Sequence, residues 1–202
     1  MVTFINNEDN SCFIHIPKTG GTSLTSILHN RVSFLIDQKE TITNLTDYEL
    51  LHCPAEIINN LNYYNNLNYY TFVRNPYHRF ISAFCCAKDI LNIHNYPISS
   101  QGMLNFLKNF YNYQNEYIFK SMTFYIYDSN NNKLVNNIYY YENFADNIKK
   151  ICNTNDIPYI NKNMNIDSKN YDNFFIEEPL LYEYINNIYQ EDFINFNYKM
   201  IL

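Results

Sequence analysis

The stretch that most constrains this chain runs from Cys12 to Leu28 and reads CFIHIPKTGGTSLTSIL. Cys12, Phe13, Ile14 and Ile16 form an apolar run that Pro17 interrupts. A lysine, two adjacent glycines and two hydroxyl residues follow, after which Leu24, Ile27 and Leu28 fall on one helical face. This order predicts a strand, a phosphate-cradling turn and a helix. Gly20 and Gly21 are two of only three glycines in the chain, so their pairing at this junction has a local cause. Glycine admits φ > 0 and leaves no Cβ between backbone and ligand. Successive N–H groups then curl around an anion, and the first helical turn adds its own N–H groups and the positive end of its dipole. Lys18 supplies a full charge, and Thr22 or Ser23 caps the helix. The competing reading is an ordinary turn with a solvated lysine, which leaves so many anion-binding features within seven residues unexplained. The loop is not a Walker A motif, in which the lysine follows the last glycine. Here Lys18 precedes both.

A second segment, Tyr69 to Phe84, reads YYTFVRNPYHRFISAF. Its aromatic and β-branched start predicts a strand ending at Arg74. Asn75-Pro76 is a helix start, with asparagine at the cap and proline at the first position. Tyr77, Phe80, Ile81 and Phe84 form an inward stripe. Arg79 and Ser82 lie on the opposite face, only about 60° apart around the helix axis. Ligands of open parallel sheets bind beyond the carboxyl ends of the strands. If the two strands are neighbours, two anionic groups of one ligand can be held about a nucleotide apart. Taken singly, Arg74 also reads as a surface cation and Ser82 as a satisfied helix hydroxyl.

At these residues the chain resembles the sulfotransferases that use 3′-phosphoadenosine 5′-phosphosulfate (PAPS), and most of all the glycan-type, Golgi branch. Pro17, Lys18, Thr19, Gly20, Gly21, Thr22 and Ser23 match that branch's PK-x-G-G-T-S loop for the 5′-phosphosulfate. Arg74 and Ser82 match the arginine and serine that bind the 3′-phosphate within V-R-N-P-x-x-R-x-x-S, with the same spacing (82 − 74 = 8). Tyr141-Glu142-Asn143-Phe144, Asn161-Lys162 and the tail from Glu178 to Phe196 extend the resemblance more weakly. The resemblance implies an α/β fold of three layers, with a central parallel sheet like that of P-loop NTPases flanked by helices. It also implies sulfuryl transfer from PAPS to a hydroxyl acceptor, leaving 3′-phosphoadenosine 5′-phosphate (PAP). Lys18 would stabilise the leaving phosphate, while Arg74 and Ser82, with Arg79, would anchor the 3′-phosphate. Lys162 is a weaker candidate for a donor contact. No metal is implied, and no Cys/His cluster has zinc-type spacing.

The acceptor hydroxyl needs a base. His52 is the first candidate: it follows Tyr48-Glu49-Leu50-Leu51, read as a short strand, and precedes a helix start at Cys53-Pro54. An ordinary imidazole suits general-base work near neutral pH. A capping or core-edge histidine is the alternative reading, and Glu49 and Asp47 are the runners-up as base. His15, inside the first strand, reads as structural. His29 and His78 read as solvated, and His94 is uninformative.

The chain has 202 residues, with 21 tyrosines, 15 phenylalanines and no tryptophan, and 47% of its residues are hydrophobic. This fits one globular α/β domain over residues 1–202. The net charge of −6 argues against a general nucleic-acid binder and, more mildly, against a polyanionic acceptor. A neutral glycan, a lipid headgroup or a small hydroxylated molecule fits better. Five cysteines, none in a C-x-x-C, make no disulfide framework and point to a reducing, cytoplasmic setting. No membrane span or leader is apparent, which leaves a Golgi role only to a form carrying an additional anchor.

Further elements expected are a strand near 32–36, helices over 54–61, 76–89, 99–112 and 143–153, and a last helix opened by Pro179. A hairpin is expected from strands 122–127 and 134–141 around the Asn130–Asn132 turn. Residues 154–177 read as loop, and with 90–120 are the expected acceptor-contacting regions. Two other functions compete: an NTP-dependent kinase-like enzyme, which lacks a Walker A loop, and a nucleotide-binding protein without catalysis.

Overall fold

Cys12 and Phe13 lie in strand β2 (Ser11–Phe13), whose three residues are all buried. This strand organises the sheet of a computed structural model that describes residues 4–6, 10–28, 33–34, 50–61, 66–152 and 171–202. The chain divides into two compact units, residues 1–73 with 122–160 and residues 74–121 with 161–202.

The first unit is α/β. Its sheet has the order β3-β1-β2-β4-β5, with β1 (Phe4–Asn6), β3 (Ser33–Phe34), β4 (Asn68–Val73) and β5 (Asn137–Tyr140). Strands β2, β4 and β5 are mutually parallel, with Cys12 opposite Tyr69 and Thr71 opposite Ile138. The sheet therefore contains the expected parallel core, flanked by helices. The two outer strands are antiparallel, β1 to β2 and β3 to β1. Beyond the last formal pair the register persists: the Ile14 N–H donates to the Tyr70 carbonyl (2.9 Å), and the Thr71 hydroxyl donates to the Ile14 carbonyl (2.6 Å).

Helix α1 (Gly21–Leu28) buries Leu24 and Leu28 against Phe13, Tyr70 and Phe72 of the sheet. Ile148 of a later helix, Phe144–Cys152, joins the same cluster. Area burial of this kind supplies about 1.5–3 kcal/mol for each large side chain. Helix α2 (Ala55–Asn60) buries Ala55 and Ile58.

Two local expectations are corrected here. Residues 50–51 are helical rather than strand, consistent with two leucines, good helix formers without β-branching. Residues 122–126 form a one-turn helix instead of the first strand of a hairpin. Met122, Tyr125 and Ile126 are buried at the i, i+3, i+4 spacing, which decides for the helix over the β-rich composition. Only an isolated antiparallel bridge, Tyr127 to Lys133, remains of the hairpin. The asparagine turn is present: the Asp128 carboxylate accepts from the N–H groups of Asn130 and Asn132 and from the Asn132 amide. These bonds hold its carboxyl below the usual range, the Asn132 side-chain bond most of all.

The second unit is helical. It contains α3 (Pro76–Ile90), α4 (Ser100–Lys108), α7 (Tyr171–Glu177), α8 (Leu180–Ile188) and α9 (Gln190–Asn195). The labels α5 and α6 belong to Met122–Ile126 and Phe144–Cys152 of the first unit. Helix α3 begins where the sequence predicts, with the Asn75 side chain accepting from the Tyr77 N–H (3.0 Å). Helix α4 is shorter than expected, and residues 110–112 form a 3-10 turn. Residues 171–177, expected as loop, are helical and bury Tyr171 and Phe175. The core is aromatic: Phe106 alone packs against Phe80, Phe84, Phe110 and Phe119.

Candidate functional site

The turn after β2 is shaped by its backbone. Lys18 has φ +70° and Gly20 has φ +99°, so two left-handed residues reverse the chain between Pro17 and α1. A lysine in that region is uncommon and stores strain of about 1–3 kcal/mol, which persists only where the surroundings impose it. The Thr19 hydroxyl closes the turn by donating to the Ile16 carbonyl (2.9 Å). The Ser23 and Leu24 N–H groups both reach the Gly20 carbonyl, which makes Gly20 the cap position of α1. The hydroxyl capping expected of Thr22 or Ser23 is thus replaced by a glycine cap.

Both glycines are required by close approach as well. A Cβ on Gly20 would stand 2.7 Å from a Phe144 ring carbon and 2.9 Å from one of Tyr141. One on Gly21 would stand 2.1 Å from Cδ2 of His15. The weaker Tyr141–Phe144 match therefore belongs to the same loop, as the floor beneath Gly20.

His15 is buried, at 2% exposure, and lies between Phe13 and His52. The His15 and His52 ring centroids are 4.6 Å apart, and Nδ1 of His52 is 3.2 Å from the His15 carbonyl oxygen. His52 is half-buried and follows the helical residues 50–51, so it does not stand at a strand's carboxyl end. The hydrogen bond to the His15 carbonyl, two residues beyond the end of β2, holds it in the first unit with the loop. From sequence His15 reads as structural; its contact with Gly21 lies within one motif, whereas its contact with His52 spans 37 residues and leaves no local pattern.

In the sheet, β4 is the direct parallel neighbour of β2. This is the neighbour relation that the sequence argument required, since β2 leads into the loop and β4 leads into Arg74.

In the second unit Arg74 is 6% exposed, and its guanidinium carbon lies 5.7 Å from the Tyr171 ring centroid. Ser82 is partly exposed on α3. Arg79 is among the largest fully buried side chains. Its Nη2 donates to the Lys120 carbonyl (2.6 Å), and its guanidinium carbon stands 5.7 Å from the Tyr189 ring centroid. The Tyr189 hydroxyl donates to the Phe119 carbonyl (2.9 Å). Burial pushes the Tyr189 phenol well up, against the opposing pull of Arg79. Lys162 lies outside the described residues, as do Asp47 and Glu49.

An apolar cleft of about 770 Å³ lies between α8 and the C-terminal residues, lined by Leu180, Tyr182 and Met200 among others. None of the residues predicted from sequence lines it. Among the described residues, no helix is long and apolar enough to cross a membrane.

No curated protein and no solved structure matches this chain. The sequence model of the sulfotransferase family does, across residues 2–199. That span contains the reversed loop, its aromatic floor, the paired histidines and the Arg74 segment, so the chain belongs to the sulfotransferase family.

Proposed function

We propose that this chain moves a sulfuryl group from PAPS to a hydroxyl of a glycan or other small hydroxylated molecule. The observation that carries this reading is the Pro17–Ser23 loop, in which Lys18 and Gly20 take left-handed φ and Gly21 opens an eight-residue helix. A reversed turn without Cβ at two positions, ending on a helix N-terminus, suits a phosphosulfate.

In this reading the loop N–H groups, with Thr22 and Ser23, hold the phosphate and sulfonate oxygens. Lys18 meets the negative charge that builds on the 5′-phosphate as the S–O bond to it breaks. Arg74 and Ser82 bind the 3′-phosphate, and a guanidinium there fixes geometry as well as charge. Arg79, committed to Lys120 and Tyr189, supports them by fixing α3, which carries Ser82. His52 takes the proton of the acceptor hydroxyl as the new S–O bond forms. The protein's work is positioning and charge stabilisation, as in phosphoryl transfer.

Calorimetry with PAP and with ATP–Mg tests the donor. Binding of PAP and weak or no binding of ATP–Mg is expected; the reverse order would replace this reading with a kinase-like one. A screen of neutral glycans, lipid headgroups and phenols with sulfur-labelled PAPS then identifies the acceptor. PAP binding with no transfer to any class would leave a nucleotide-binding protein without catalysis.

A further inference from the structure

His15 touches both the start of α1 and His52. Its ring stacks on Phe13, with centroids 5.9 Å apart and planes at 21°. Its Cδ2–Nε2 edge lies against the Cα of Gly21, where an added Cβ would meet these atoms at 2.1 and 2.2 Å. On its other side is the His52 ring, 4.6 Å away and tilted by 44°. The backbone of the same residue offers its carbonyl oxygen to Nδ1 of His52 at 3.2 Å.

A carbonyl oxygen only accepts, so this contact is a hydrogen bond only when the proton is on Nδ1 of His52. The neutral ring then carries its lone pair on Nε2. In Ser-His-Asp enzymes a carboxylate performs this tautomer-setting task; here a main-chain carbonyl occupies the corresponding place.

We propose that His15 is a positioning residue for sulfuryl transfer. Its carbonyl holds His52 in the Nδ1–H tautomer, and its ring fixes the spacing between His52 and the Gly21 end of the loop. The proposal rests on the reading of His52 as the base. In the step itself the acceptor O–H bond breaks as the new O–S bond forms. The S–O bond to the 5′-phosphate breaks with its electron pair going to PAP, and the proton goes to Nε2 of His52. His15 exchanges neither proton nor electron. Its importance is geometric, because a displacement of about 1 Å between reacting groups costs on the order of a hundredfold in rate.

The test measures PAP released from PAPS, with water and with any acceptor found in the screen. It compares the wild type with His52→Ala, His15→Ala and the double variant. His52→Ala is expected to lose about 10²–10⁴-fold. His15→Ala is expected to lower kcat about 10- to 100-fold, with a smaller change in KM for PAPS, and the double variant to be no slower than His52→Ala alone. Losses that multiply, or a His15→Ala rate near wild type beside an inactive His52→Ala, overturn the positioning role and leave the base assignment standing. Normal turnover in His52→Ala overturns the base assignment and this proposal with it. A measurement on the unaltered protein covers the case in which His15→Ala does not fold. Long-range ¹H–¹⁵N spectra above the His52 titration are expected to show the Nδ1–H tautomer, and an Nε2–H tautomer overturns the proposal.

Discussion

Gly21 and His15 are fitted to each other: a methyl group on Gly21 would stand 2.1 Å from the His15 imidazole, closer than side-chain carbons approach. The ring is buried against Phe13 and His52, so it has little room to yield. Gly21→Ala is therefore expected to destabilise the protein by about 1–3 kcal/mol, the usual cost of overpacking a core. A double variant, Gly21→Ala with His15→Ala, should recover part of that loss, because the second change removes the clashing ring. Thermal melts of the three variants check this. A Gly21→Ala protein as stable as wild type would show that the helix start shifts easily and that the loop is less rigidly held than its contacts indicate.

Lys18 combines a full charge with a left-handed backbone at φ +70°. Lys18→Ala keeps much the same backbone strain and removes only the cation. If the cation meets charge that develops on the leaving phosphate, the variant should lose about 10²–10³-fold in kcat while PAP affinity falls far less. Single-turnover rates beside PAP calorimetry separate the two effects. A rate near wild type would contradict the leaving-group role. Lys18→Gly is expected to be at least as stable as Lys18→Ala, since glycine relieves the left-handed strain.

Much of the site's local form was legible because a few residue types have narrow conformational uses. The Gly20–Gly21 pair marked a reversed turn and Asn75-Pro76 the start of α3 to the residue, whereas β2 ends at Phe13, before the Pro17 that reads as its terminator. What escaped the sequence was either too short to show a period or too far apart to show a pattern. Met122–Ile126 is a single turn, and its β-rich composition outweighed a spacing of only three buried positions. The antiparallel strand β1 has three residues, below the length at which alternation can be read, whereas β3 falls inside the strand expected near 32–36. The His15–His52 contact spans 37 residues of sequence, and the Gly20–Phe144 contact joins two motifs that looked independent. Arg79 was legible as a cation on the polar face of α3, but its burial was not, because the partners that cover it, Lys120 and Tyr189, come from other segments.

Arg79 carries a separate stability prediction. Its guanidinium satisfies the Lys120 carbonyl and lies over the Tyr189 ring, and the whole side chain is 1% exposed. Arg79→Met keeps the apolar stem and removes the donor, leaving the carbonyl's acceptor capacity less satisfied. A loss of about 2–4 kcal/mol is expected, combining a charge-assisted hydrogen bond with imperfect filling of the space. Tyr189→Phe, which removes the bond to the Phe119 carbonyl together with the hydroxyl's hydrogen bond to Arg79, should cost about 1–3 kcal/mol. Urea denaturation checks both. Equal and small losses would mean that the guanidinium is not structural and would return Arg79 to direct contact with the 3′-phosphate.

Arg74 offers the sharpest separation of binding from chemistry. Its guanidinium faces the Tyr171 ring at 5.7 Å, and Tyr171 in turn packs edge-on against His78, which is 3.1 Å from the Asp172 carboxylate. Helix α7 thus begins with two residues that fasten it to the first turn of α3 and stack an aromatic face on the arginine. If Arg74 binds the 3′-phosphate, its contribution should appear only with ligands that carry one. Wild-type protein is expected to bind PAP more tightly than adenosine 5′-monophosphate, and Arg74→Ala to bind the two about equally, having lost about 10- to 100-fold for PAP alone. Arg74→Lys should not restore the difference fully, because an ammonium cannot reproduce the planar two-point contact. Tyr171→Ala should weaken PAP about 2- to 30-fold through the lost cation–π contact and a less confined guanidinium, again sparing the monophosphate. Equal losses for both nucleotides in Arg74→Ala would place the arginine away from the 3′-phosphate and make its stacking on Tyr171 a purely structural feature of the helical unit.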